Sequence, residues 1–313
     1  MAPKQGDGGQ GTGLTFIQMH AHTRHSINRL SGEGVFHRGI WPLERLIMRG
    51  LMLSTRKMSK YAARSGVSFV SVTDHNTLTD TSRHSNLIPG EEWGQRKGHA
   101  NFVSISSGID PEEGYYNGKE PVEPHDFNSA AADARSQGAF ITINHPFKAD
   151  SWKWTESLEL VDGLEIWNGK WGPENEMALD YWQDLLGEGK RILPVAGADF
   201  HVKVLFNIAS PVMVIRGRPS AQETMRLIRG GNYAISLSPG SPAIFLESDG
   251  GIKFHVENYL SGLQLRVRKK NTRQIVENCP ETGILEFDPG EEFIRAELWK
   301  NEMPLSFSVP VFS

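Results

Sequence analysis

The sequence predicts an α/β fold, with a parallel sheet or barrel followed by a small antiparallel β-sandwich. Seven short apolar or β-branched runs lie between residues 14 and 198, and segments long enough for a helix or a long loop separate most of them. Beyond residue 240 the pattern changes to short alternating strands that glycine, asparagine and proline punctuate. Polar side chains follow the ends of most runs in the first part, as functional groups do in parallel β/α folds.

The predicted elements divide the 313-residue chain into three parts. Strands are predicted at 14–19, 68–73, 86–89, 100–106, 139–144, 163–167 and 192–196. Helices are predicted at 41–65, 124–137, 173–186 and 221–229. These elements form a main domain over 14–238. A glycine-rich, flexible N-terminus over 1–13 precedes it, and a small β-domain over 239–313 follows it.

The composition excludes several classes of protein. Hydrophobic residues at 38% and charged residues at 22% are typical of a globular chain and exclude a disordered one. A net charge of -4 gives no global reason to bind nucleic acid or an anionic membrane, so neither partner is expected. The single cysteine, Cys279, excludes an intramolecular disulfide, and the first thirteen residues lack the apolar stretch of a signal peptide. We therefore expect a cytoplasmic protein that acts on a small-molecule substrate, in an oligomeric state that the sequence leaves open.

Metal-ligating side chains are concentrated at the predicted strand ends. His20 and His22 form a His-x-His pair, and because side chains alternate along a strand, both imidazoles point to the same side. Such a pair alone is weak evidence, but six histidines, a glutamate and an aspartate at strand ends are hard to ascribe to chance. The eight are His20, His22, His75, Glu92, His99, His145, Asp199 and His201. Imidazole and carboxylate together suit zinc, manganese or iron.

Six motifs surround these residues. They read HAHT at 20–23, SVTDHNT at 71–77, PGEEWGQRKGHANF at 89–102, INHPF at 143–147, LEIWNG at 164–169 and GADFH at 197–201. In type and order they resemble the motifs of the polymerase and histidinol phosphatase (PHP) superfamily, and the resemblance covers residues 14–236. Within that superfamily, Glu-Trp followed by Gly-His-Ala-Asn resembles the carbaryl-hydrolase-like branch, in which a small β-domain follows the barrel.

The resemblance implies a distorted seven-stranded (β/α)7 barrel, similar to a TIM barrel, with two or three divalent manganese, zinc or iron ions. The ligands that it implies are His20, His22, Glu92 and Asp199 for one ion, and the bridging Glu92 with His99 and His145 for a second. A third ion would use His75 and His201 with a further residue after the first motif. The family commonly has Ser-Asp-Gly there, whereas this chain has Ser26-Ile27-Asn28, so the third site stays open. His25 is the residue that can take the missing aspartate's place.

The chemistry that the resemblance implies is hydrolysis. Two ions bridged by a carboxylate such as Glu92 produce hydroxide near neutral pH and polarise a phosphoryl or carbonyl oxygen. The leaving group also needs a proton donor, for which His201, Asp74 and His25 are the candidates. Glu165 and Asn168 are candidates for orienting the ligand imidazoles.

The substrate class is predicted from charge and from aromatic residues. Nine Arg or Lys residues lie in 24–64 against two glutamates, which favours an anionic substrate, although a solvated helix face is the alternative. Arg24, Asn168 and Trp167 are predicted to contact the substrate. The leading expectation is a phosphoesterase that acts on a small-molecule phosphoester. The alternatives are hydrolysis of an aryl carboxylic ester, carbamate or amide, for which the tryptophans argue, and a non-catalytic metal-binding module.

Overall fold

The computed structural model describes residues 13–26, 50–95, 97–109, 127–148, 152, 155–287 and 290–313. The strands are β1 (Leu14–Ala21), β2 (Phe69–His75), β3 (Leu87–Gln95), β4 (Gly98–Val103), β5 (Phe140–Asn144), β6 (Gly163–Asn168), β7 (Leu193–Gly197), β8 (Val212–Arg216), β9 (Ala234–Ser236), β10 (Ala243–Ser248), β11 (Ile252–Glu257), β12 (Gln264–Lys269), β13 (Arg273–Val276), β14 (Thr282–Leu285), β15 (Phe293–Lys300), β16 (Met303–Ser308) and β17 (Val311–Phe312). The helices are α1 (Thr55–Arg64), α2 (Phe127–Ser136), α3 (Pro173–Gly187) and α4 (Ala221–Arg229), with a 3-10 helix at Thr155–Leu160.

The (β/α)7 barrel, and with it the TIM-like description, is wrong. Within the described residues, four α-helices accompany one mixed sheet of 14 strands and a second sheet of three. The large sheet runs in the order β13-β12-β15-β16-β9-β8-β1-β2-β3-β4-β5-β6-β7, and β17 pairs with β15. The chain is therefore mostly β, although β1–β2–β3 and β5–β6–β7 are parallel as the alternating pattern predicts.

A glycine-based hairpin is one reason why the prediction of strand direction failed. Strands β3 and β4 pair antiparallel, with Gly94 opposite His99. Gly94 and Gly98 have φ angles of 111° and 106°, in the region that favours glycine. A Cβ atom on Gly94 would lie 2.3 Å from the Gly98 carbonyl oxygen. The two apolar runs are thus the arms of one hairpin, whereas the sequence pattern was interpreted as two parallel strands.

The large sheet also continues into the C-terminal strands. Strands β8 and β9 add antiparallel to the free side of β1, and β9 pairs in turn with β16. The three-stranded sheet β10-β11-β14 shares an apolar core with β12 and β15, built around side chains such as Phe254, Val267 and Leu298. Residues 239–313 contain only strands among their described elements, as predicted, and the boundary at 238 stays a prediction.

The C-terminal ends of β1 and β7 meet, although they lie far apart in the order of the sheet. Ala21 and Phe200 form a parallel bridge, in which the His22 amide donates to the Phe200 carbonyl at 2.7 Å. The Phe200 amide donates to the His20 carbonyl at 3.2 Å. This contact brings the residues after β7 next to the first two histidines.

The helices follow the predicted positions where the structure describes them. Helix α4 has the predicted bounds, and α3 begins at the predicted Pro173, a residue that favours the first helical turn. The prediction at 41–65 appears as α1, which begins after Ser54, whose hydroxyl accepts from the Lys57 amide. Residues 50–54 of that prediction are described and include an isolated bridge of Met52 with Val202, whereas 41–49, the N-terminus up to residue 12, and Ile27 lie outside the described residues. No described helix has the length and apolar character needed to cross a bilayer.

A buried ionic network joins α3 to the C-terminal strands. Glu297 is fully buried on β15, and its Oε1 lies 2.7 Å from the Arg295 guanidinium and 3.3 Å from Arg268 Nε. Its Oε2 accepts from the Trp299 indole at 2.7 Å. Arg295 in turn donates to Gln183 of α3 at 2.8 Å. Both oxygens of the Glu297 carboxylate thus have a charged or N–H partner.

Candidate metal centre

Eight metal-ligating residues converge at one edge of the large sheet. They come from the ends of β1, β2, β5 and β7 and from the β3–β4 hairpin, and they are His20, His22, His75, Glu92, His99, His145, Asp199 and His201. We call this set the metal centre. His75 and Glu92 lie directly opposite each other on β2 and β3. His99 precedes its predicted strand in the sequence, and the antiparallel direction of β4 explains how it reaches the same edge.

Glu92 lies at the middle of the metal centre. Its side chain is 1% exposed, and ring nitrogens of five histidines approach its two oxygens. At Oε1 the distances are 3.2 Å to His20, 3.5 Å to His99 and 3.2 Å to His145. At Oε2 they are 3.3 Å to His22 and 3.0 Å to His75. The two oxygens of one carboxylate therefore face two different groups of imidazoles.

Asp199 is the second carboxylate of the metal centre. Its Oδ1 lies 3.5 Å from His20 Nε2, 3.3 Å from His22 Nε2 and 3.4 Å from His201 Nδ1. Its Oδ2 faces away from these rings and lies 3.4 Å from Lys148 Nζ. The two histidines of the His-x-His pair are themselves close, with Nε2 atoms 3.1 Å apart. The ring nitrogens and the carboxylate oxygens of these residues therefore converge on shared positions.

The donor set fits a metal ion. Four groups of three residues bring one ligand atom each within 4.8 Å of one another, namely His22–His75–His201, His20–His22–Glu92, His20–His145–Asp199 and Glu92–His99–His145. Three buried atoms of the metal centre, Glu92 Oε2, His99 Nδ1 and His145 Nδ1, have no partner with hydrogen-bond geometry. Because an unsatisfied buried polar atom is costly, their arrangement calls for a ligand. These buried groups can hold a metal ion.

Burial lowers the pKa values of three histidines of the metal centre and so favours the neutral form that binds a metal. Burial lowers the pKa of His99 to about 3. Burial also lowers the pKa of His201, and burial together with His201 and His75 holds the pKa of His22 well below its usual value. A ligand imidazole has to be unprotonated, so these three rings need to lose no proton before they bind an ion.

The carboxylates are ionised and attract positive charge. Burial alone would raise the pKa values of Glu92 and Asp199, but neighbouring histidines outweigh it and hold both well below the usual value. Burial lowers the pKa of His20, yet Glu92, Glu165 and Asp199 together raise it well above its usual value. The pKa of His75 is likewise raised, against burial, by Glu92. The two carboxylates thus favour positive charge at this position, whether from an imidazole or from a cation.

Further polar residues orient the ligands. Glu165 Oε1 lies 3.1 Å from His20 Nδ1, and its Oε2 accepts from the His145 amide at 2.9 Å. Ser26 Oγ lies 3.1 Å from His22 Nδ1, and Asn144 donates to Glu92 at 2.9 Å. Partners of this kind fix the ring orientation of metal ligands.

Two of the ligands also have unusual backbone angles. His145 and Asp199 have φ angles of 27° and 50°, which few residues other than glycine adopt. Such conformations cost energy and are found where the surrounding structure requires them, often at functional sites. Here the hydrogen bond from the His145 backbone amide to Glu165, and the contacts of the Asp199 side chain, stabilise these two backbone conformations.

The structure places the other predicted site residues in different ways. Asn168 lies beside the metal centre, where its amide donates to Glu165 at 2.9 Å. Asp74 is buried, and both of its oxygens accept from Thr23 or Thr79, so it fixes the loop after β1. Burial raises the pKa of Asp74.

The remaining predicted site residues, Arg24, His25 and Trp167, make no described contact with the ligands. Arg24 and His25 are exposed, and His25 lines a separate cleft with Arg83. Trp167 is fully buried and packs against Trp171 and Phe307, with ring centroids 5.3 and 5.6 Å away. The tryptophans that suggested an aryl pocket thus include one that forms core between β6 and the C-terminal strands.

Lys148 is a residue that sequence reasoning missed. Its Nζ donates to Asn168 Oδ1 and lies 3.4 Å from Asp199 Oδ2. The signal was present, since Lys148 directly follows the INHPF motif and lies three residues after a predicted ligand. A single lysine after a motif, however, has the same appearance as any surface lysine.

Replacing Gly197 by alanine is expected to damage the metal centre. A Cβ at this position on β7 would lie 2.4 Å from the His20 Cβ and 2.6 Å from Glu165 Oε1. Because overpacking of this kind costs about 1–3 kcal/mol, we expect a lower free energy of unfolding in denaturant and less bound metal per chain. Gly187→Ala is the matched control, since a Cβ there meets no atom within 4 Å. Equal metal content and equal stability in the two variants would contradict the proposed contact.

Comparison with known proteins leaves the family open. No protein-family model matches the chain, and no curated protein matches it. Among solved structures, the crystal structure of PsfC from Pseudomonas syringae PB-5123 is similar over 67% of this chain and 87% of that chain. The sequence identity is 9% and the TM-score 0.41, a likeness too weak to carry an argument. The function therefore has to be argued from the residues of the site.

Proposed function

We propose that this chain is a metal-dependent hydrolase with the ligand set of the PHP superfamily, and that its substrate is a small-molecule phosphoester. The observation that carries the proposal is the position of Glu92. Its Oε1 faces His20, His99 and His145, whereas its Oε2 faces His22 and His75. A buried carboxylate with imidazoles on both sides is suited to bridge two ions.

The donor chemistry suits divalent manganese, zinc or iron. A carboxylate-bridged pair of such ions lowers the pKa of coordinated water and polarises a phosphoryl oxygen. One ion would be held by His20, His22, Glu92 and Asp199, and a second by Glu92 with His99 and His145, since the groups His20–His22–Glu92 and Glu92–His99–His145 each bring their ligand atoms within 4.8 Å of one another. The group His22–His75–His201 provides three nitrogens for a third ion.

The chain's own residues supply orientation and exclude water. Glu165 holds the His20 ring and the His145 backbone, so that both ligands keep one geometry. The ligand side chains of His20, His22 and Glu92 are no more than 1% exposed, which strengthens electrostatic interactions at this depth. Of the three proton donors considered, Asp74 is fully occupied by Thr23 and Thr79. His25 lines a separate cleft, so His201 is the candidate that remains.

Two other functions are outcomes of the test. Hydrolysis of an aryl ester, carbamate or amide uses the same ion pair, but the buried packing of Trp167 withdraws part of its support. A non-catalytic metal-binding module would keep the ions and turn over no substrate.

The experiment combines metal content with turnover. We expect purified protein reconstituted with manganese, zinc or iron to hold about two to three ions per chain and to release inorganic phosphate from monoesters or diesters. His20→Ala should lose both properties, because His20 contacts both carboxylates. His255→Ala, on β11 outside the metal centre, is the control that should keep both.

The proposal fails in two recognisable ways. Turnover of an aryl ester or carbamate without any release of phosphate would favour the first alternative. Metal that is bound by the unmodified chain and lost in His20→Ala, with no turnover across the panel, would favour the metal-binding module.

A further inference from the structure

Lys148 approaches the metal centre from the solvent side. Its side chain is 40% exposed, whereas that of Asp199 is 15% exposed and those of His20 and Glu92 are no more than 1% exposed. Within the described residues, no other lysine or arginine lies within ion-pair distance of a metal-centre carboxylate. Among the residues that the structure describes, Lys148 is therefore the cation next to the ligands on the solvent side.

The two carboxylate oxygens of Asp199 have different neighbours. Its Oδ1 faces His20, His22 and His201, while its Oδ2 lies 3.4 Å from Lys148 Nζ. The Asp199 carboxylate thus connects the Lys148 ammonium with the atoms that would hold the ion. A substrate oxygen held at the ion would come within reach of the same ammonium.

Asn168 fixes the position of Lys148. The Asn168 side-chain oxygen accepts from Lys148, and its amide group donates to Glu165 Oε2 at 2.9 Å. The Asn168 backbone amide donates to Asn175 Oδ1 at 2.8 Å. Because Asn168 is held from both ends, the lysine is positioned before any substrate binds, and little side-chain freedom is lost on binding.

A lysine ammonium has three donors, and two of them are accounted for here. Asn168 and Asp199 take one each, and the third has no partner among the residues that the structure describes. An exposed, positioned ammonium with a free donor binds an anionic oxygen through a charge-assisted hydrogen bond.

We propose that Lys148 determines substrate specificity by binding a non-bridging oxygen of a phosphoryl group held at the metal centre. This inference rests on the proposed function and adds to it the selection of an anionic substrate over a neutral one. The role is one of charge and position, so Lys148 neither gives nor takes a proton.

The test uses inorganic phosphate as the probe and metal-loaded protein. In Lys148→Met the affinity for phosphate, measured by titration calorimetry, is expected to fall about 10- to 100-fold, as for loss of a hydrogen bond to a charged group. Metal content should stay equal to that of the unmodified chain. For a phosphoester the KM should rise by a larger factor than kcat falls. Lys148→Arg should restore part of the phosphate affinity, because it keeps the charge.

Lys170→Met is the matched control. Lys170 is exposed and lies two residues after Asn168, and its side chain makes no ion pair with a described residue. The Lys170→Met variant should bind phosphate with the same affinity as the unmodified chain. Unchanged phosphate affinity in Lys148→Met would overturn the inference, as would a loss of bound metal, which would make Lys148 a support of Asp199 alone.

The inference and the proposed function fail separately. Phosphate binding that depends on Lys148, without turnover of any phosphoester, would support the inference and contradict the proposed function. Turnover of a neutral ester by protein that binds no phosphate would overturn both.

Discussion

Replacing Glu92 by glutamine is expected to lower metal affinity by more than about 100-fold and to abolish hydrolysis at limiting metal. Loss of groups that only orient a ligand already costs about 10- to 100-fold, and Glu92 is a direct contact of five imidazoles. Glutamine has nearly the same shape, so the change removes the negative charge and one acceptor oxygen while keeping the packing. The measurement is metal content per chain by elemental analysis after dialysis against buffered metal.

The control for this variant is the neighbouring residue. Glu91 is as buried as Glu92 but points to the other face of β3, where its Oε2 accepts from the Ile109 amide at 3.1 Å. Glu91→Gln should therefore keep its metal. If Glu92→Gln also retained the metal content of the unmodified chain, the ligand set that we describe would be incorrect.

Replacing Glu297 by glutamine is expected to lower the free energy of unfolding by about 3–5 kcal/mol. The change leaves Arg295, 2% exposed, without its ion-pair partner. Burial already lowers the pKa of Arg295, and Glu297 opposes this effect more than Asp180 does. Denaturant unfolding followed by far-UV circular dichroism measures the difference.

The control is an ion pair at the surface. Glu292 lies 2.7 Å from Lys270 Nζ with its side chain 50% exposed. Exposed pairs contribute about 0–1 kcal/mol, so Glu292→Gln should change stability little. Similar changes in the two variants would mean that the buried network contributes no more than a surface contact.

The clustering of the eight metal-centre residues could be predicted from the sequence better than the fold could. His20 and His22 are two positions apart. Because side chains alternate along any strand, the two imidazoles point to the same side whether the neighbouring strands are parallel or antiparallel. The ends of β1, β2, β5 and β7 lie within two residues of where an apolar run stops, whereas β3 continues past the predicted residue 89 to Gln95. For this reason the eight residues were found in the sequence, and the structure brings them within a few ångströms of each other.

Strand direction and strand partners are not visible in the same way. An apolar run has the same composition whether its neighbour is parallel or antiparallel, and only Gly94 and Gly98 marked the hairpin. The pairing of β9 with β16 joins residues about 70 positions apart, and no local pattern predicts such a contact. Helix α4, whose apolar period is local, was predicted with its observed bounds.

The pairing of β9 with β16 has a consequence for how the chain avoids self-association. Strand β9 has three residues, with β8 on one side and β16 on the other. Without β16, the backbone donors and acceptors on that side of β9 would be open to any extended chain, and such edges are sites of aggregation. The C-terminal strands therefore cover this side of β9, and the end of the sheet on that side is the four-residue strand β13.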